Sequence, residues 1–441
     1  MIRLYYRVYR LASSFGYWFG RRFTQAGMIA LGGLALTAGM GIDTEQALAY
    51  QTFALLGCLL ASGMLSALFF RGHFAVRRSL PRFASVGEPL TYSIGVRNQT
   101  AKPQRGLEVL ENLADPRPPL AAFRALLHAS RQTRSFTLAK TPSRRSRRAT
   151  ALREQPLPDL PPGGEAEARM ELTPLKRGPL RFTGVTVARP DPLGLFRAFV
   201  VVPLAHTVLV LPKRYPLPPL ALPGTRHYQQ GGVALASAVG QSEEFVALRD
   251  YRRGDPWRHV HWKSWAKTGR LIVKEFQDEF FVRHALILDT FTGADHAEVF
   301  EEAVSIAASF ACALGTQESL LDLMFVGPQA FCFTAGRGLA HADQILEILA
   351  SVSVCREQPF RALRELVVDH VAAVSGCVCV FVAWDEPRRE LVRELRAMGL
   401  PLLVLVVTAD GATLDPGPMK DQPERFHALT AGRIEEGLAR L

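Results

Sequence analysis

The sequence predicts a multidomain protein: a two-helix transmembrane anchor, then an antiparallel β-sandwich, then a doubly wound α/β domain. Three observations predict this order. Two long apolar runs lie near the N-terminus, short alternating runs broken by Gly and Pro follow, and strand and helix patterns alternate over the last third. With 441 residues and 48% hydrophobic residues, the chain is long enough for two or three domains with sizeable cores.

The anchor is predicted from residues 1–72. Residues 1–22 are basic and aromatic, which indicates an interfacial lead-in at a membrane surface. Residues 23–72 form the predicted transmembrane hairpin, because two runs of at least 20 mostly apolar residues each reach ~30 Å, the thickness of a bilayer core. A cleaved signal peptide is the competing interpretation, but a second apolar run follows at once.

The basic residues predict the orientation of this anchor. The net charge is +11, and residues 1–82 alone hold nine arginines and two acidic residues. Arginines flank both outer ends of the hairpin, whereas the turn between the runs is acidic. By the positive-inside rule, the N-terminus and the body of the protein lie in the cytoplasm. We therefore expect a multi-pass protein of the bacterial cytoplasmic membrane, held through residues 23–70, and no nucleic-acid binding from the overall charge.

Residues 73–211 are predicted to form the β-sandwich. Period-two alternation over residues 90–96, with turns rich in Gly, Pro and Asn, is typical of short antiparallel strands. The arginine run at residues 144–148 has two interpretations, a solvated loop or a contact with phosphates or anionic lipid. Residues 212–241 are rich in Pro, Gly and Ala, which indicates a linker.

Residues 242–281 contain three of the five tryptophans. Asp255 followed by Pro predicts a helix start, with Asp255 as the N-cap, and Gly269 predicts the helix end. Trp257, His261 and Trp265 would then lie on one helix face. Two interpretations stay open: a structural bridge between domains whose charges are paired, or a binding surface.

The same segment resembles the signature of the bacterial family named domain of unknown function 58. The pattern E-F-x-x-L-R-x-Y-x-x-G-D-x-x-R-x-x-x-W-K-x-x-A-x-x-G-x-L-x-V-K-E runs over residues 244–275, and His261 departs from it where the family usually has Asp. The resemblance implies a membrane-anchored protein with a von Willebrand A-like domain that is often linked with MoxR-type AAA+ ATPases. The motif residues expected to contact a partner are Arg249, Tyr251, Gly254, Asp255, Arg258, Trp262, Lys263 and Lys274.

Residues 282–441 are predicted to form the α/β domain, which resembles a von Willebrand A-like domain. Strands are predicted at residues 284–288, 320–326, 330–333, 378–383 and 402–407, and helices at 298–314, 340–353, 360–373 and 387–398. The family metal site would begin at Asp289, but Phe291 and Gly293 replace both serine ligands. Asp289 and Asp385 are the candidates for holding Mg²⁺ through water, and the expectation is no metal and no cofactor.

The sequence indicates no defined catalytic site. It contains no phosphate-binding loop with the pattern G-x-x-x-x-G-K-[ST], no H-E-x-x-H and no G-x-S-x-G. Six scattered cysteines indicate reduced, buried thiols. The interpretation is a membrane-anchored cytoplasmic scaffold or adaptor that binds a protein partner, a MoxR-type AAA+ ATPase. The alternatives are a hydrolase that uses the polar central motif, or an anionic-lipid or nucleic-acid binder that uses residues 144–148.

Overall fold

The computed structural model divides the chain into two compact units, residues 1–211 and 212–441. It describes residues 2–40, 47–115, 117, 120, 123–124, 150–152, 155–218, 245–255, 257–276, 282–293, 297–314, 319–336, 342–411 and 414–441. The arginine run at 144–148, most of the linker and the acidic turn at 43–46 lie outside this part. Both units contain β-sheets, and each is described by itself.

Three helices open the first unit: α1 (Ile2–Arg22), α2 (Gln25–Met40) and α3 (Ala47–Leu68). Within the described residues one helix, over Leu48–Leu68, is long and apolar enough to cross a membrane. In the region of the first predicted span, the described helix α2 has 16 residues and a length of about 24 Å. The structure thus supports one candidate span, where the sequence predicts two.

The helices contact the β-rich part of the unit through a turn at residues 191–196. Phe23, just before α2, packs with Leu60 of α3 and with Phe196. Thr24 donates its backbone N–H to the Leu195 carbonyl at 3.2 Å. Gly27 is needed at this approach, because a Cβ there would lie 2.0 Å from the Leu195 oxygen. Leu195 and Phe196 of this turn therefore contact the start of α2 and the second half of α3.

Two sheets form the β-rich part. Their strands are β1 (Phe74–Ser79), β2 (Phe83–Ser85), β3 (Leu90–Asn98), β4 (Glu108–Leu113), β5 (Thr150–Leu152), β6 (Gln155–Pro156), β7 (Glu165–Pro174), β8 (Gly178–Pro190) and β9 (Arg197–Leu211). One sheet has the order β1-β3-β7-β5 and the other β2-β9-β8-β4-β6. Alternate residues of β3 and β8 meet in one apolar core. All pairs are antiparallel except β2 with β9, which is parallel and departs from the predicted all-antiparallel arrangement.

The second unit begins with a small module. β10 (Phe245–Asp250) pairs antiparallel with β11 (Ile272–Phe276), and a short helix, α4 (Trp262–Thr268), lies between them in sequence. Before this module, Tyr215 is buried against the later part of the unit and donates its hydroxyl to Glu302 at 2.5 Å. The start of the predicted linker is therefore held against the second unit through Tyr215.

A six-stranded sheet forms the rest of the second unit. Its elements are β12 (Val282–Leu288), α5 (Ala297–Ala313), β13 (Ser319–Val326), β14 (Ala330–Ala335), α6 (Ala342–Ser351), α7 (Arg361–His370), β15 (Gly376–Phe381), α8 (Glu386–Ala397), β16 (Leu402–Thr408), β17 (Phe426–Thr430) and α9 (Ile434–Leu438). These confirm the predicted alternation, and β17 and α9 are additional. The order is β14-β13-β12-β15-β16-β17, with only β14 antiparallel. The order reverses between β12 and β15, so residues after these strands share a crevice.

Candidate functional site

The tryptophan module, defined as residues 245–255 and 257–276, brings most of the family-signature residues into one small structure. Arg249 of β10 lies opposite Val273 of β11. The segment between the two strands also contacts this hairpin, because His261 donates its backbone N–H to the Ile272 carbonyl at 2.8 Å. Val260 and Val273 are 4% and 2% exposed and form the apolar centre of the module. A few buried valines thus support a surface of large side chains.

Asp255 closes the turn after β10, and the predicted N-cap role is wrong. Its carboxylate accepts two hydrogen bonds from Arg249, at 2.7 and 2.8 Å, and one from the Arg252 backbone N–H at 2.8 Å. The hydrogen bonds from Arg249 are the main reason why the pKa of Asp255 falls to about 2. Gly254 enables this turn with a φ of 114°, a conformation that favours glycine.

The helix of the module therefore begins later than predicted. Residues Trp257–His259 form a single 3-10 turn, and α4 starts at Trp262 after His261, whose side chain does not cap the helix. The carboxylate of Asp255 is held by Arg249 and the Arg252 backbone, and His261 instead occupies the N-cap position of α4. The predicted end is confirmed, because Gly269 follows α4 in the left-handed conformation with φ 68°.

Three tryptophans of the module are exposed to solvent. Trp257, Trp262 and Trp265 are 61%, 54% and 44% exposed. Tyr251 packs beside Trp257 with ring centroids 5.6 Å apart, and Trp262 meets Trp265 edge-on at 5.8 Å. The sequence predicts Trp257 and Trp265 on one helix face; the structure instead places Trp257 on the preceding turn. The rings form two pairs, each of which presents apolar area to solvent.

Basic residues surround these rings. Arg258 and Lys263 are exposed, and Lys274 on β11 is half-buried. The other exposed basic side chains of the module are Arg252, Arg253, Lys267 and Arg270. Because Asp255 is engaged by Arg249, the outer surface is strongly positive. The module therefore combines an exposed aromatic patch with a cationic rim.

The predicted metal candidates lie together, but an arginine occupies the space between them. Arg388 of α8 contacts Asp289 through Nε at 3.0 Å and through Nη2 at 3.2 Å, and it contacts Asp385 through Nη1 at 2.6 Å. Asp289 is fully buried and also accepts from the backbone N–H groups of Phe291 and Val382. Burial raises the pKa of Asp289, and Arg388 opposes this shift.

Arg388 is the residue of this crevice that sequence reasoning missed. It lies three residues after Asp385, which caps α8 by accepting from the Arg388 backbone N–H. That spacing was the available signal, because residues i and i+3 of a helix start are neighbours. The guanidinium also stacks over Phe360, 4.5 Å from the ring centroid. The guanidinium of Arg388 thus lies between the two candidate metal ligands.

A serine–histidine contact in the module was also missed. His261 Nδ1 lies 2.6 Å from Ser264 Oγ, and both side chains are half-buried. The spacing H-x-x-S at a helix start is the signal in the sequence. Such a contact can orient the first turn of α4, and it also has the geometry of a nucleophile beside a base.

Comparisons with known proteins give one relative among curated proteins. No family model matches the chain. The chain is 28% identical over 184 residues to "Uncharacterized protein YeaD" of Bacillus subtilis (strain 168), which covers 41% of this chain and 44% of that protein. The match thus spans less than half of the relative's length. The relative's name assigns no activity.

Among solved structures, the CARDB domain of the PF1109 protein from Pyrococcus furiosus is similar to part of the chain. Its crystal structure, in complex with di-metal ions, is 14% identical and covers 32% of this chain and 93% of that domain, with a TM-score of 0.17. The solution structure of the same domain covers 32% and 94%, also with 14% identity and a TM-score of 0.17.

Proposed function

We propose that this protein is a membrane-anchored cytoplasmic scaffold that binds a MoxR-type AAA+ ATPase through the tryptophan module. The observation that carries the proposal is the exposure of Trp257, Trp262 and Trp265 within a cationic rim. Large exposed aromatic rings are rare on free surfaces and common at the centres of protein interfaces, where Trp, Tyr and Arg dominate the binding energy. The resemblance to domain of unknown function 58 supplies the class of partner.

The cationic rim favours an acidic surface on the partner. Charges at the rim of an interface accelerate encounter and exclude wrong partners, and their effect falls with ionic strength. Arg258 and Lys263 are exposed beside the tryptophans and suit this role. Asp255 and Arg249 would instead keep the module in its binding shape, because they engage each other.

We propose that α2 and α3 form the two-helix transmembrane anchor in a bacterial cytoplasmic membrane. The Leu48–Leu68 helix supports one span by length and composition. The aromatic and polar residues before α2 would extend the shorter span into the interface. The arginines at both outer ends favour a cytoplasmic body.

We further propose that the two sheets of the first unit form a sandwich and that the six-stranded sheet forms a von Willebrand A-like domain. The strand order and the crevice after β12 and β15 support the second assignment. The contacts of Arg388 with Asp289 and Asp385 favour a rim that is organised without a metal. Energy from nucleotide hydrolysis would come from the ATPase.

The test uses the full chain, purified in neutral detergent and immobilised for interferometry. Each MoxR-type ATPase of the same organism is applied with and without ATP. We expect binding that weakens as salt rises and falls at least about tenfold when Arg258 and Lys263 are both changed to Glu. The Trp257→Ala and Trp262→Ala variants should weaken binding similarly, because truncation of a hot-spot ring costs ~2 kcal/mol or more.

A matched control variant distinguishes an effect of the proposed binding site from an effect of net charge alone. Arg433 and Arg440 are exposed on the same unit, and changing both to Glu alters the net charge by the same amount. This variant should retain binding. No detectable binding to any ATPase of this type at tens of micromolar would refute the proposed function.

A second candidate function is hydrolysis, favoured by the 2.6 Å contact between His261 Nδ1 and Ser264 Oγ. In that case Ser264 would be the nucleophile and His261 the base. The test is turnover of activated esters by the full chain. Activity that disappears in Ser264→Ala and in His261→Gln would favour this function, and equal background rates in all three proteins would exclude it for that substrate class.

A further inference from the structure

A cavity of about 360 Å³ lies in the first unit, where α3 meets the β-rich part. Its walls include Ser66 and Ala67 near the end of α3, Arg105 before β4, and Arg189 and Asp191 at the end of β8. Small-molecule sites in proteins have volumes of about 300–1,000 Å³. The cavity therefore has room for a small polar group.

Positive charge predominates around this cavity. The Arg189 guanidinium lies 4.4 Å from the centroid of the Phe70 ring, and no carboxylate of the described residues pairs with it. Arg105 is largely exposed, and its nearest acidic partner, Asp159, lies at 3.6 Å. Two arginines that line one cavity with a single weak carboxylate contact form an anion-binding arrangement.

The acidic residue of the wall is already engaged. Asp191 is buried, and its carboxylate accepts from the backbone N–H groups of Leu195 at 2.6 Å, Phe196 at 2.7 Å and Leu193 at 3.1 Å. Three donors stabilise its negative charge within its own turn. Asp191 therefore shapes the turn, and the two arginines remain available to an anion.

The position of the cavity on α3 indicates which anion would reach it. Gly63 of α3 approaches Asp191 so closely that a Cβ would lie 2.9 Å from its Oδ2. Ser66 and Ala67, which line the cavity, precede the end of the apolar span at Leu68 by two residues and one, or about 3 and 1.5 Å along the helix. Leu193, at the tip of the turn, is 49% exposed. If α3 spans the membrane as proposed, a cavity at this depth lies at the boundary between headgroups and acyl chains.

We infer that this cavity binds the phosphate of an anionic phospholipid headgroup, with Arg189 as the main contact and Arg105 as a further donor. Guanidinium groups recognise phosphate oxygens in bidentate geometry, and Leu193 would contact the acyl chain beside the headgroup. The inference rests on the proposed membrane placement of α3. It concerns a site distinct from the arginine run at residues 144–148.

The experiment uses native mass spectrometry of the full chain in neutral detergent, with short-chain phosphatidylglycerol or phosphatidylcholine added. We expect retained phosphatidylglycerol in preference to phosphatidylcholine. The Arg189→Gln variant should bind phosphatidylglycerol about tenfold more weakly, because a hydrogen bond between charged groups is lost. Arg181→Gln is the matched control, since Arg181 is exposed on the same strand, and it should bind as the native chain does.

Further measurements distinguish loss of the binding site from loss of folding and from binding of free phosphate. Arg189→Lys keeps the charge and should bind with intermediate affinity, and circular dichroism melting verifies that each variant is folded. Inorganic phosphate at the same concentration as the lipid should not displace it, because phosphate lacks the acyl-chain contact with Leu193. Displacement at equal concentration would overturn a lipid headgroup as the ligand. Equal loss in Arg189→Gln and Arg181→Gln, or no loss in either, would overturn the site.

Separate assays distinguish this inference from the proposed function. Membrane fractionation of the native chain tests the placement of α3 alone. Capture of the ATPase depends on the tryptophan module and needs no lipid. Lost lipid specificity with normal fractionation and normal ATPase capture would therefore refute only the headgroup site.

Discussion

Replacing Arg388 with Met should destabilise the second unit strongly. Arg388 makes two contacts with Asp289, one with Asp385 and one with the Phe291 carbonyl at 2.8 Å. The Asp289 side chain is 0% exposed. Methionine fills similar space but leaves this carboxylate buried without a counter-charge. Breaking a buried ion pair on one side costs about 3–5 kcal/mol, so we expect a loss of that size.

The assay is urea unfolding of the full chain in detergent, followed by near-ultraviolet circular dichroism. The double variant Asp289→Asn/Arg388→Met removes both charges and keeps a polar group for the backbone donors at residue 289. It should recover most of the lost stability, since the main penalty of the single variant is an unpaired charge. A single variant within ~1 kcal/mol of the native chain would refute this reasoning, as would a double variant that is no more stable than the single one.

Magnesium provides a second measurement on the same crevice. We expect Mg²⁺ to leave the stability of the native chain unchanged, because Arg388 occupies the space between Asp289 and Asp385. In Arg388→Ala the two carboxylates become available as oxygen ligands. A ligand that binds only the folded state stabilises it by ~2.7 kcal/mol at a hundredfold excess over its dissociation constant. A thermal shift of the native chain with Mg²⁺ that disappears in Asp289→Ala would contradict the expectation.

Two other predictions concern the tryptophan module and the anchor. The pKa of Asp255 is about 2, below its ordinary value of 3.8, so its pair with Arg249 stabilises the folded state above about pH 4 and loses this effect as the pH falls towards 2. The difference in melting temperature between the native chain and Asp255→Asn should therefore shrink from pH 5 to pH 2, and a constant difference would show that the pair is unimportant. An alkaline phosphatase fused after Leu441 should be inactive in a bacterial host, because the enzyme needs the periplasm and the basic flanks place the body in the cytoplasm; high activity would reverse the orientation.

Local patterns in the sequence were sufficient for most elements of the second unit. The strand at β12 and the helix at α8 are confirmed within two residues, since apolar runs and caps depend on neighbouring residues. Gly269 was predicted correctly as a helix end because its left-handed conformation is a local requirement. The first apolar run was predicted from residue 23, whereas α2 begins at Gln25, after Phe23 and Thr24 contact the turn at residues 191–196; composition alone does not show such a contact.

The side-chain pairings depended on tertiary structure. Asp255 followed by Pro is a strong local signal for a helix start, but the turn after β10 brings the Asp255 carboxylate onto Arg249, and these charged hydrogen bonds compete with capping. Arg388 and Asp289 are 99 residues apart and meet because β12 and β15 are neighbours in the sheet. The sequence by itself determined most elements of the six-stranded sheet domain and the aromatic, basic character of the module. Only the folded chain decided which charges are neutralised, because that depends on strand register and burial.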